Sequence, residues 1–83
     1  MAGTTKARIF ITLRKGVLDP QGEAIRHALG ALGFEGVESV RQGKVIDIEL
    51  AEPDRAKAEA RLREMCEKLL ANTIIEDYAI EIA

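Results

Sequence analysis

The chain has 83 residues, of which 47% are hydrophobic, 31% charged and 4% aromatic, with no tryptophan and a formal net charge of −2. That length argues for one domain, which buries only roughly 60 to 65% of the surface its unfolded chain exposes, so association with copies of itself or with a partner would add stability. The mildly acidic balance excludes an electrostatic footprint for nucleic acid or an anionic membrane, and a lone cysteine, Cys66, excludes an internal disulfide and fits a reducing cytoplasm.

Residues 1–5 are expected to be a short disordered lead ahead of a single domain over 6–83, and the N-terminal "MAGTTKARIF" holds no apolar core of signal-peptide length. No apolar run approaches the roughly 20 residues that span a bilayer. From Lys6 to Leu13, "KARIFITL" alternates, with Ala7, Ile9, Ile11 and Leu13 on one face and Arg8, Phe10 and Thr12 on the other, which is the period of a half-buried strand. Residues 20–32 change to helical spacing, with Ile25, Ala28, Leu29 and Leu32 on one stripe and Gly33 at the expected left-handed C-cap. "GVESV" and "KVIDIEL" predict two further strands joined by a tight hairpin near Gln42-Gly43. From about Pro53 to Ala71 the spacing is helical again, with a stripe of Ala58, Leu62, Met65 and Leu69, Cys66 and Leu70 beside it, and Asn72 as C-cap. Glu59 with Arg63 and Glu64 with Lys68 form i,i+4 pairs in the favourable orientation. A last strand runs through Tyr78, Ile80 and Ile82.

The order β-α-β-β-α-β is the split βαβ plan of an α+β, ferredoxin-like domain, with a four-stranded antiparallel sheet and both helices on one face. Ile9, Ile11, Leu13, Ile46, Ile48, Leu50, Tyr78, Ile80 and Ile82 are expected to face those helices. The other face mixes Phe10, Thr12, Val45 and Ala79 with Asp47, Glu49 and Glu81. Too apolar to be purely solvated and too charged to be a second core, it reads as partly covered by another subunit.

Catalytic candidates are scarce. His27, the single histidine, follows Glu23 by four residues and reads as a solvated helix pair rather than a general base. Cys66 reads as a small buried hydrophobe rather than a nucleophile, and one Cys with one His cannot assemble a four-ligand zinc site. Asp47 and Glu49 lie two apart on one strand face, about 7 Å by strand geometry, without a partner acid that would suggest hydrolysis. RNA-recognition modules share the topology but place aromatics on the open sheet face, where this chain has Asp47 and Glu49. The residues alone therefore predict a soluble, oligomeric domain with no catalytic, metal or cofactor site of its own.

One stretch, "RKGVLDPQG" at 14–22, sets two cations and a glycine ahead of a helix start, where backbone N–H groups favour anions. A phosphate cradle needs more glycines, and a Walker loop also needs a following Lys-Ser or Lys-Thr. Asp19 stands at the N-cap and Pro20 at the first helical position, so the acid would take the donors a phosphate wants and repel its charge. The segment reads as a capped helix start whose loop, with Lys15 at its tip, is open to a protein partner.

"GVLDPQGEAIRHALGALGFEGV", "VRQGKVIDIEL" and "REMCEKLLANTIIEDYAIEI", in that order, resemble the PurS family over about residues 6–82. PurS is the small subunit of the three-component phosphoribosylformylglycinamidine (FGAM) synthase of purine biosynthesis. Thr73 stands where the family's "LANPVIEDY" commonly has proline, a loss of turn rigidity only. The resemblance implies a non-catalytic subunit, a homodimer or tetramer, that bridges the large synthetase subunit PurL and the glutaminase subunit PurQ and assists ammonia transfer. ATP, magnesium and glutamine would be used by the complex, with none bound by this chain. It also implies docking through Lys15, Asp19, Gln21, Arg41, Gly43, Lys44 and Asn72, each otherwise a solvated loop residue. An alternative of different character is a free-standing ferredoxin-like sensor that binds a small molecule between two subunits, although no residues specify its pocket.

Overall fold

In the computed structural model, which describes residues 3–83, three strands and two helices follow one another along the chain. They are β1 (Thr5–Leu13), α1 (Pro20–Ala31), β2 (Gly43–Leu50), α2 (Arg55–Met65) and β3 (Glu76–Ile82). Of the expected lead, residues 1 and 2 lie outside the described residues, and Thr5 already belongs to β1, where it is buried.

β1 is the centre of a three-stranded antiparallel sheet of order β2-β1-β3. The register sets Ile46, Ile9 and Ile80 in one row and Ile48, Ala7 and Ile82 in the next. Ile9, Ile11, Leu62 and Cys66 are fully enclosed, and Ala7 and Ala71 close the two ends of the core. Each large apolar side chain so enclosed contributes about 1.5–3 kcal/mol. The alternation in all three strands is thus the one their sequences show.

Residues 36–40 form no strand, which corrects the expected four-stranded sheet. A strand exists only where a neighbour takes its backbone groups, and no strand lies beside this segment. Gly36 has φ +85°, outside the extended region, and Val40 to Gln42 lean on the start of α1. The hairpin expected at Gln42-Gly43 is absent with its first strand.

α2 is capped by Asp54, whose Oδ1 accepts from the N–H groups of Ala56 (2.9 Å) and Lys57 (3.1 Å). Its last turn, Cys66–Leu70, is π-helical, closed by the Ala71 N–H on the Cys66 carbonyl at 3.0 Å. The extra residue in that turn brings Ala71 rather than Leu70 into line below Leu62 and Cys66. Leu69, expected inside the stripe, is 82% exposed as a result. Asn72 lies one residue beyond the cap, which is Ala71.

The larger correction concerns α1. Gly22 is its one buried residue, while Ile25 and Leu32 on its stripe are 41% and 74% exposed. Only α2 covers the sheet, and the Ile46, Ile48 and Leu50 side of that face is half-buried. A strand the length of β1 spans about 30 Å and a helix the length of α1 about 18 Å. The 50 Å long axis fits a helix that projects beyond the sheet rather than lying on it. The radius of gyration is 16.6 Å, against about 12 Å for a compact chain of this length.

Candidate interaction face

The docking residues named from the sequence fall at one end of the sheet, around the loop that leads from β1 into α1. Arg14 donates its N–H to the Ile75 carbonyl (2.8 Å), and its guanidinium reaches the Thr73 carbonyl. The loop thereby lies against the turn in which Asn72 Oδ1 accepts from the Ile74 N–H (3.2 Å) and the Asn72 carbonyl accepts from Ile75 (3.0 Å) and Glu76 (2.7 Å). Gly16, at φ +92°, reverses the chain at its tip.

On its other side the loop is held by residues 40–42. Asp19 is 6% exposed. Its Oδ1 accepts from the Gly22 N–H (2.9 Å) as an N-cap, and its Oδ2 accepts from the Gln42 N–H (2.7 Å). Those two backbone donors, Gln42 first, hold its carboxyl below the usual aspartate range. Arg41 donates to the carbonyls of Val17 (2.8 Å) and Arg14 (3.0 Å). Gly22 backs so closely on the chain that an added Cβ would lie 2.3 Å from the Val40 carbonyl oxygen. Gly43, which opens β2 opposite Thr12, would set a Cβ 2.6 Å from the Ile11 carbonyl oxygen.

Asp19 is therefore buried and engaged within the chain, Arg41, Gly43 and Asn72 are engaged within it while exposed, and Lys15, Gln21 and Lys44 are exposed. Arg14, Gly22 and Val40 complete the arrangement and were not among the residues named. Arg14 stood in the quoted loop, but nothing local signals that its partners lie about sixty residues away. The Gly22 N–H, a donor an anion would need, is taken by Asp19.

A second exposed region is the stripe of α1 together with Phe34, which is 61% exposed. On the open sheet face, Arg8 pairs with Asp47 at 2.8 Å opposite Glu81, beside the row Val45, Phe10 and Ala79. The Arg8 guanidinium holds the Asp47 carboxyl below its usual range. His27 lies 3.8 Å from Glu23, which also binds Arg26. Burial pushes the Cys66 thiol up, away from the reactive thiolate. Among the described residues no cluster of three His, Cys, Asp or Glu is placed to hold a metal ion, and no helix is long and apolar enough to cross a membrane.

The accessible area is 6173 Å², while a folded monomer of this mass exposes about 4,900 Å². An α+β chain with an unfilled helix stripe and a half-covered sheet face is a domain built to be completed by other chains. Its family is as definite as its class. A family model described as PurS, phosphoribosylformylglycinamidine (FGAM) synthase, matches residues 6–83, and the chain belongs to that family. A Synechocystis sp. protein named phosphoribosylformylglycinamidine synthase subunit PurS is 49% identical over 82 residues, 99% of this chain and 82% of that one. The crystal structure of Methanocaldococcus jannaschii PurS is 46% identical, covers 95% of both chains and superposes with a TM-score of 0.85. A chain of the Thermotoga maritima PurLQS structure is 31% identical and superposes with a TM-score of 0.87 over 96% of this chain and 98% of that one.

Proposed function

We infer that this chain is the small, PurS subunit of an FGAM synthase of purine biosynthesis, a ligase in which it supplies structure and the other subunits supply the chemistry. The family match over residues 6–83 carries the reading. Its similarity to a chain of the Thermotoga maritima PurLQS structure supports a place beside a synthetase and a glutaminase. In this role it bridges the two in the cytoplasm and helps enclose the route by which ammonia passes between them, while ATP, magnesium and glutamine act elsewhere in the complex. The chain assembles as a homodimer or tetramer. Accessible area in excess of a compact monomer by about 1,300 Å² is more than the roughly 800 Å² each partner buries in a standard interface. The α1 stripe of one copy, laid over the half-covered Ile46, Ile48 and Leu50 face of another, would cover both surfaces at once. That pairing supplies the second helix of the ferredoxin-like arrangement from a neighbouring chain.

Lys15 and Lys44 are exposed cations beside the braced loop and are proposed to meet acidic groups on a larger subunit. The test is FGAM formation by purified synthetase and glutaminase, with and without this chain, fed by glutamine or by ammonium. A Lys15→Glu/Lys44→Glu chain is expected to lower the glutamine-fed rate at least tenfold and the ammonium-fed rate less than threefold. Glutamine-fed synthesis that is indifferent to the chain's presence would refute the role. Sensing of a small molecule is the weaker reading, because the exposed faces resemble interfaces rather than a pocket.

A further inference from the structure

α1 meets the rest of the chain through a narrow neck. Gly22 is its sole buried residue, and the neck is made of few parts: the two oxygens of Asp19, the two nitrogens of Arg41 and the close approach of Gly22 to Val40. The division of labour within Asp19 is informative. One oxygen belongs to the helix, as a cap on Gly22, while the other reaches the Gln42 N–H one residue before β2. Arg41 repeats the connection in the opposite sense, from the β2 side to the loop carbonyls of Arg14 and Val17. Charge-assisted hydrogen bonds of this kind are directional, so together they resist rotation of the helix about its neck in either direction. The helix has no packed side-chain face of its own to do so.

We propose that Asp19 and Arg41 are positioning residues that latch α1 at a set angle to the sheet and so fix the geometry in which its apolar stripe meets the half-covered sheet face of a second copy of this chain. The second half of this statement rests on the reading that the stripe is covered in the assembled protein.

Two substitutions separate the latch from the cap. Asp19→Ser keeps an N-cap oxygen for Gly22, since serine caps about as well as aspartate, but has no second oxygen for Gln42. Arg41→Ala leaves the cap intact and removes both bonds to the loop. Spin labels at His27→Cys on α1 and Lys57→Cys on α2, in chains diluted with unlabelled protein, report the angle as a distance distribution. Cys66 is buried and remains unlabelled in the folded chain. Both latch variants are expected to widen the distribution at least twofold and to speed exchange of the Gln42 amide at least tenfold. The Ile9 and Ile11 amides should change less than threefold, and Arg41→Lys, with one donor group, should fall between.

Unchanged widths in both variants would overturn the proposal. Widening accompanied by equal loss of protection at Ile9 and Ile11 would overturn it too, because the two residues would then merely hold up the fold. Sedimentation of the wild-type chain decides the underlying reading separately. A monomer at every concentration would remove the stripe covered by a second copy, while the widths still decide the latch.

Discussion

Glycine-to-alanine changes at two positions of α1 should move stability in opposite directions. Alanine is favoured over glycine inside a helix by about 0.8–1.0 kcal/mol. At Gly30 nothing lies within 4 Å of the added methyl, and the residue sits off the apolar stripe, so Gly30→Ala should gain most of that amount. At Gly22 the methyl would lie 2.3 Å from the Val40 carbonyl oxygen, 2.8 Å from Asp19 Oδ2 and 3.0 Å from Asp19 Cγ. Restoring ordinary contact requires the backbone at Val40 to retreat by about 1 Å, and overpacking of this kind costs about 1–3 kcal/mol. The steric cost outweighs the propensity gain over most of its range, so Gly22→Ala should lose up to about 2 kcal/mol, and two chemically identical substitutions in one helix should differ by about 1–3 kcal/mol. Urea unfolding followed by far-ultraviolet circular dichroism measures the difference, and amide exchange within α1 reads it on the helix itself. Equal stabilisation by both would refute the reasoning, because Val40 would then be free to swing away from the helix.

The π-helical turn makes a second pair of expectations. Leu62 is fully enclosed, so Leu62→Ala should cost about 2–5 kcal/mol, against a total of about 4–12 kcal/mol for a domain of this length, whereas Leu69→Ala at 82% exposure should change the urea midpoint little. Comparable losses at both would mean that the helix runs straight and Leu69 is inside. Tyr78, the only tyrosine, donates its Oη–H to Glu67 Oε2 at 2.7 Å, and this bond, with burial and the carboxylate's charge, raises its pKa. Its stabilising contribution is therefore fully present below the unfolded value of about 10 and is lost as pH rises through the folded one. Phenolate absorbance should titrate above that of a free tyrosine, and Tyr78→Phe should remove this part of the alkaline loss of stability; a normal titration midpoint would sink the assignment.

Much of this protein is written in neighbouring residues. Alternation in "KARIFITL" and "KVIDIEL" assigns each side chain of β1 and β2 to a face, because the pleat has a period of two whatever the surroundings. Asp19-Pro20 marks the start of α1, and Gly33 its end with φ +94°, since capping is satisfied within a few residues. The pairs Glu59–Arg63 at 3.3 Å and Glu64–Lys68 at 3.0 Å follow from helical spacing alone. Membership in the PurS family was legible for a related reason: three stretches in order carry it, and the family match spans residues 6–83.

Other features needed the folded chain. "GVESV" has the composition of a strand but no strand beside it, and Arg41 and Gln42 that follow it are bound to the loop before α1. Leu69 fits the stripe of an ideal helix and leaves it through one added residue in the last turn. That Asp19, Arg41 and Gly43 also hold the chain together is hidden in the sequence, because Gln42, Val17, Arg14 and Ile11 lie about twenty to thirty positions from them, and the partners of Asn72 are mainly backbone atoms, which no side-chain pattern reveals. The apolar stripe of α1 is the clearest case. Helical period states that a face must be buried, and that much the sequence determined. Which surface buries it depends on where the helix is carried in space, and the neck formed by Asp19, Gly22 and Arg41 carries α1 off the end of the sheet, beyond reach of its own core.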